Sequence, residues 1–294
     1  MSNEWSDLDT KGYVVIPGFL QDEAAVDVLL KGFDQGRPPD KYPYGFKLLG
    51  NRQLRAAWRT IEPVLAEIRA VTSIHVDLLT SLTMSHYITT RLADRSSYLH
   101  QDFDLDYKLT RDHHNYLNFW ISLRKPVREL SNVTLIPFDR LRLEAPNAFD
   151  TLIDGGGTRL VVRDGSTLIY GRHGSILAED REPEPNMQLD FDIEEFAVTP
   201  YLESGDLLLM RGDAIHRTQD SDTERVAASI RVTSSRKTIR RESVELQTSG
   251  LDDGDEELRK MLVDCFGSFG RDHVALHEFL DYSESRRANA AKPA

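Results

Sequence analysis

His100-Gln101-Asp102 forms a His-x-Asp triplet, and His216 lies far downstream, at the end of the stretch opened by the apolar run Gly205-Asp206-Leu207-Leu208-Leu209-Met210. Two imidazoles and one carboxylate on one face of a metal leave the opposite positions open. That ligand set suits non-haem Fe(II), which must still bind a cosubstrate and O2. The His-x-Asp spacing has a geometric reason, because residues i and i+2 of an extended segment point the same way and can share an ion. The third ligand must come from elsewhere in the chain, and His216 is the candidate. Taken alone, a His-x-Asp pair is more often part of a solvated loop than of a metal site.

The segment downstream of His216 changes the balance. In Arg225-Val226-Ala227-Ala228-Ser229-Ile230-Arg231-Val232 the residues alternate, so Arg225, Ala227, Ser229 and Arg231 share one face of a strand and Val226, Ala228, Ile230 and Val232 the other. A cationic face beside an iron site suits a dicarboxylate, because guanidinium binds carboxylate bidentately and stays charged. This points to 2-oxoglutarate as cosubstrate; the competing reading is an exposed edge strand with solvated arginines. Six positions of strand separate Arg225 from Arg231 by roughly 20 Å, so the two cannot grip one carboxylate. Asn118 and Trp120 share a strand face and are candidates to hydrogen-bond and wall the cosubstrate, or else form an ordinary inward core pair.

With these residues in place, the chain resembles the phytanoyl-CoA dioxygenase family of Fe(II)/2-oxoglutarate-dependent oxygenases. The resemblance runs over about residues 10 to 235. Gly12 to Leu20 is similar to the family's opening strand, and His100-Gln101-Asp102 to its first two iron ligands. Asn118-Phe119-Trp120-Ile121-Ser122-Leu123 and Asn132-Val133-Thr134-Leu135-Ile136-Pro137 are similar to the next strands in the family's order. Gly205 through His216 and then Arg225 resemble the strand with the distal histidine and the arginine that grips the cosubstrate. The resemblance implies His100, Asp102 and His216 as metal ligands and Arg225, with Arg231 as its rival, as the cosubstrate anchor. It also implies a double-stranded β-helix (jelly-roll, cupin-like) core and hydroxylation of an unactivated C–H bond with release of succinate and CO2. Arg231 is then left to pair with an acidic residue or to meet substrate. After Pro137 many members carry a Gly-Ser-His-type turn, whereas this chain reads Phe138-Asp139-Arg140-Leu141. Asp102 stands where halogenating relatives have a small residue, which favours hydroxylation or a related oxidation.

Around the motifs, the pattern is mainly β with flanking helices. Asp22 to Gly36 and Asn51 to Val71 carry apolar residues at helical spacing, with Pro63 expected to kink the second or to open a new helix. Short alternating runs come next: Ser85–Thr90, Leu117–Leu123, Thr158–Val162, Thr167–Tyr170, Phe196–Leu202, Asp206–Met210 and Arg225–Thr233. A single domain over 1–294 is expected, with helical support at about 20–75, a jelly-roll core at about 81–235 and a helical segment at about 252–285. Ala288 to Ala294 reads as a frayed tail. The 137–203 stretch, punctuated by glycines and prolines, is expected to form hairpins and loops over one barrel mouth. His173 is at best a loop or substrate contact, and His113 and His114 are expected near the site or on the surface rather than on the metal. Tyr87, Arg91, Tyr98 and Tyr107 flank the ligand pair and are candidate substrate contacts or core.

Lys and Arg total 36 against 48 Asp and Glu, a net charge of −12, which argues against nucleic acid or an anionic membrane surface as partner and for a small-molecule substrate. The lone Cys265 excludes an internal disulfide and fits a reducing, cytoplasmic setting. No signal-like N-terminus or long apolar run is present. Two other classes share these features. A cupin-like metal enzyme without 2-oxoglutarate would keep the histidines but have no need of Arg225, and a non-catalytic module of the same fold would usually have lost a ligand. Oligomeric state is not encoded in any readable pattern.

Overall fold

The computed structural model describes residues 3–22, 26, 27, 29, 30, 44–48, 51–87, 98–102, 110, 112–153, 157–170, 185–245 and 253–290. Two antiparallel six-stranded sheets make up the core. The major sheet has the order β1-β10-β5-β12-β3-β2, with β1 (Tyr13–Ile16), β2 (Tyr44–Leu48), β3 (Leu78–Tyr87), β5 (Tyr116–Arg124), β10 (Leu207–Arg211) and β12 (Arg225–Thr233). The minor sheet has the order β6-β11-β4-β7-β8-β9, with β4 (Leu99–His100), β6 (Val133–Ile136), β7 (Arg159–Arg163), β8 (Ser166–Tyr170), β9 (Met187–Leu189) and β11 (Ile215–Thr218). This is the expected double-stranded β-helix.

Strand β12 shows how the alternating sequence builds it. It lies inside the major sheet between β3 and β5, so the edge-strand reading is overturned. Val226, Ala228, Ile230 and Val232 face away from the minor sheet and join Ile61, Leu65 and Ile68 in one apolar core. Those three come from the helix Asn51–Val71, whose inward stripe is set by its 3.6-residue period. Pro63 sits within this single helix rather than starting a second one. Pro63 and Arg59 are both exposed, so the carbonyl that the proline leaves without an N–H donor faces water. The opposite face of β12 looks between the sheets, where Ala227 packs with Trp120, Leu208 and Met210.

Several expectations need correcting. The core strands begin before residue 81: β1, β2 and the first three residues of β3 all precede it. Phe196–Leu202 is not a strand. A short 3-10 turn, Ile193–Phe196, is capped by Asp192, whose side chain accepts from the Glu194 N–H. Only Val198 bridges to Leu135, since Pro200 has no N–H to continue a ladder. After Pro137 the chain forms two short helices, Phe138–Glu144 and Pro146–Leu152, and then the β7–β8 hairpin, rather than hairpins and loops alone. At the C-terminal end, helices Asp253–Phe269 and Leu276–Ala290 enclose a small sheet of β13 (Thr238–Arg240) and β14 (His273–Ala275) around Ile239, Phe266 and the buried Cys265. The last helix runs to Ala290, so the first three residues of the stretch expected to fray are helical, and residues 291–294 fall outside the described residues. Of the expected Asp22–Gly36 helix, Val26, Asp27, Leu29 and Leu30 are helical and the Val26 N–H reaches the Asp22 carbonyl; the remainder falls outside the described residues, as do Arg91, Tyr107 and His173.

Candidate metal centre and its cavity

The minor sheet brings the two histidines together by register. His216 of β11 and His100 of β4 are direct cross-strand partners, so their rings lie side by side with centroids 4.5 Å apart. Each ring is oriented in the same way. His100 Nδ1 lies 3.0 Å from the Tyr98 carbonyl and His216 Nδ1 lies 3.0 Å from the Ala214 carbonyl. A carbonyl can only accept, so both Nδ1 atoms carry the proton and both Nε2 lone pairs point at the shared space. Asp102, just beyond β4, completes the group: its Oδ1 is 3.7 Å from His216 Nε2, and one ligand atom from each of the three residues falls within 4.8 Å of the others.

Electrostatics keep Asp102 and His100 in their ligating forms. Burial pushes the Asp102 carboxyl up, but Arg231, His216, His100 and His113 together hold it down, at about 2. Burial, then the neighbouring His216, pulls His100 down to about 4 against the opposing pull of Asp102, so the ring is neutral at pH 7. The residues therefore offer a neutral His100 imidazole and an ionised Asp102 carboxylate, with the His216 Nε2 facing the same space, a donor set that suits a divalent iron.

Gln101, between the two ligands, reads in the sequence as a spacer, yet it braces them. Pointing away from the cavity by strand alternation, it is 2% exposed. Its amide donates to the Leu152 carbonyl (2.8 Å) and the Asp213 carbonyl (2.7 Å), and its oxygen accepts from Thr158. One side chain thus ties the His100–Asp102 segment to the turn that carries His216. Asn118 is the next support. Its Nδ2 donates to Asp102 Oδ2 at 3.4 Å and its Oδ1 accepts from Ser229 Oγ at 2.7 Å.

A cavity of about 390 Å³ opens from the three ligands between the sheets. Asn118, Trp120, Arg225 and Arg231 all line it, which places every cosubstrate candidate on one chamber. The two arginines occupy different surroundings. Arg231 lies 3.8 Å from Asp102 Oδ1, the kind of acidic partner expected for it. Arg225 is 2% exposed and donates to the carbonyls of Ser131 (2.8 Å) and Asn132 (3.1 Å) and to Thr218 Oγ1 (3.2 Å). Its guanidinium sits 4.6 Å from the Tyr87 ring and 5.0 Å from that of Trp120. Burial pulls its pKa down to about 10, with Tyr87 opposing, so it remains a cation at neutral pH.

Thr218, Ser229, Tyr98 and Arg159 also line the cavity. Thr218 is legible in the sequence as the i+2 neighbour of His216, on the same strand face; Arg159 has no sequence signal. His113 is buried against Tyr116 and held near 4 by burial and Lys237, while His114 Nε2 meets Ser73 Oγ at 3.1 Å; neither belongs to the ligand group.

No protein-family model matches the sequence, and no curated protein matches it. Solved structures do. HygX from Streptomyces hygroscopicus, determined with nickel, 2-oxoglutarate and hygromycin B bound, is 15% identical, with 86% of this chain and 96% of HygX aligned at a TM-score of 0.50. SnoK, a non-haem α-ketoglutarate-dependent carbocyclase from nogalamycin biosynthesis, is also 15% identical, aligned over 88% of this chain and 90% of its own at 0.49. The likeness to HygX establishes the double-stranded β-helix fold. Among the described residues no helix is long and apolar enough to cross a membrane.

Proposed function

We propose that this protein is a non-haem Fe(II)- and 2-oxoglutarate-dependent oxygenase of the phytanoyl-CoA dioxygenase type, acting as one domain on a small molecule in the cytoplasm. One observation carries the reading: His100, Asp102 and His216 converge on a chamber that is also lined by a buried, cationic Arg225. His100 and His216 would hold iron through Nε2 and Asp102 through its carboxylate. Arg225 would receive the distal carboxylate of 2-oxoglutarate, with Thr218 as a second donor and Trp120 and Tyr87 excluding water around the pair.

When bound, iron and 2-oxoglutarate supply the O2-dependent oxidation of a C–H bond, in which the 2-oxo acid leaves as succinate and CO2. The chain's own contribution is positional. Paired carbonyls fix both imidazoles, and Asn118 orients the carboxylate. A metal protein of this fold that did without 2-oxoglutarate would have no anion to place against Arg225, whose carbonyl, hydroxyl and ring partners orient its charge without neutralising it.

The test is an anaerobic titration of metal-free protein with Fe(II) and then 2-oxoglutarate, following the weak visible charge-transfer band of the chelate. The band is expected in the wild type, absent in Asp102→Ala and displaced to much higher 2-oxoglutarate concentrations in Arg225→Ala. Iron binding without a band would sink the cosubstrate assignment.

A further inference from the structure

The cavity carries more positive charge than the proposed cosubstrate explains. Its described lining holds three guanidinium groups, on Arg159, Arg225 and Arg231, and one carboxylate, Asp102, in a protein whose net charge is −12. A divalent metal and the dianion of 2-oxoglutarate cancel each other, so the excess survives loading of the site. Arg231 faces Asp102, and Arg225 has its carbonyls and the proposed distal carboxylate. Arg159 is left over.

Its placement is that of a binding group. Arg159 of β7 is the direct cross-strand partner of His100, so both side chains leave the minor sheet on the same face, toward the cavity. Its guanidinium stacks on the Tyr98 ring, 3.9 Å from the centroid, an arrangement that holds the planar fork still while leaving its edge donors available. Among the described residues no hydrogen bond or ion pair forms at this guanidinium, and its Nε is buried without an acceptor. Such a group, held rigid beside a metal ligand, is preorganised for an oxyanion.

We propose that Arg159 is the anchor of a substrate carboxylate, and that the substrate class is therefore small carboxylic acids, bound with the acid group against Tyr98 and Arg159 and the carbon to be oxidised beside His100. This rests on the oxygenase reading above, and it adds a second anion subsite on the opposite sheet from Arg225.

Calorimetry tests it separately from that reading. Protein holding Fe(II) and saturating 2-oxoglutarate under anaerobic conditions is titrated with acetate, hexanoate and 4-phenylbutyrate, and with the matching primary amides. The wild type is expected to bind at least one acid about tenfold or more tightly than its amide, as a charge-assisted bidentate contact requires. Arg159→Gln is expected to erase that preference with the chelate band unchanged, and Arg159→Lys, which keeps charge but not the fork, to retain part of it. An acid preference that survives Arg159→Gln, or equal binding of acids and amides by the wild type, overturns the subsite. An Arg159-dependent acid preference without any chelate band would uphold the subsite and overturn the cosubstrate instead.

Discussion

Arg225 and Arg231 are the same residue type on the same face of one strand, and both line the same cavity, yet their surroundings have little in common. Arg225 is enclosed by two carbonyls, a threonine hydroxyl and two aromatic rings, with no carboxylate in salt-bridge contact among the described residues. Arg231 is less buried and sits against Asp102, inside a group of titratable side chains. Carbonyl and hydroxyl partners orient a guanidinium without neutralising it, so the Arg225 end keeps its positive charge for an incoming anion. At the other end the positive charge is already committed to holding a ligand ionised. A strand face alone cannot assign roles to its residues; the partners across the sheet and between the sheets do that.

The comparison breaks first at Arg225. Replacing it by alanine is expected to weaken 2-oxoglutarate binding by about 2–5 kcal/mol, the range for truncating one side of a buried charge pair, with Fe(II) affinity nearly unchanged. Equilibrium binding of 2-oxoglutarate to the Fe(II) protein measures it, and wild-type affinity in Arg225→Ala would remove this residue from the site.

A pH profile contrasts the two ends without mutation. His100 and His113 are both held near 4, below the ordinary histidine value of 6.5, so between those pH values the unfolded chain takes up protons that the folded chain refuses. Stability of the metal-free protein should therefore fall as pH drops from 6.5 toward 4. Asp102, depressed to about 2, adds a further loss only below its ordinary value of 3.8. Arg225 contributes nothing in this window. Chemical denaturation at stepped pH reads the slope, and a flat profile would contradict the buried, neutral state of the two histidines.

The smallest effect sharpens the contrast. Arg231→Gln is expected to change 2-oxoglutarate affinity by less than about tenfold, because roughly 20 Å of strand separates it from Arg225. A loss as large as that of Arg225→Ala would exchange the roles assigned to the two arginines.

Much of this is legible in the residues. The period-2 pattern of 225–233 predicts β12 to the residue, and the helical stripe of 51–71 predicts its helix. The His-x-Asp triplet is a short-range pattern as well, since a ligand pair needs only strand geometry to face one way; His216 is legible by its type and its place after the apolar run at 205–210. Other features leave no local trace. Phe196–Leu202 has a strand's composition, and its lack of a ladder shows only in the single bridge and the proline. Gln101 reads as a spacer, although its amide ties three segments together.

Residue type and spacing by themselves determined the sheet-rich architecture, the ligand candidates and the presence of cations on the inward face of β12. Only the tertiary structure decided that His100 and His216 are cross-strand neighbours, that Arg225 keeps its charge while Arg231 pairs with Asp102, and that Arg159 enters the same chamber. The reason is range. Periodicity records which way a side chain leaves its own backbone, whereas partners come from strands far away in sequence, through register and packing that no local pattern encodes.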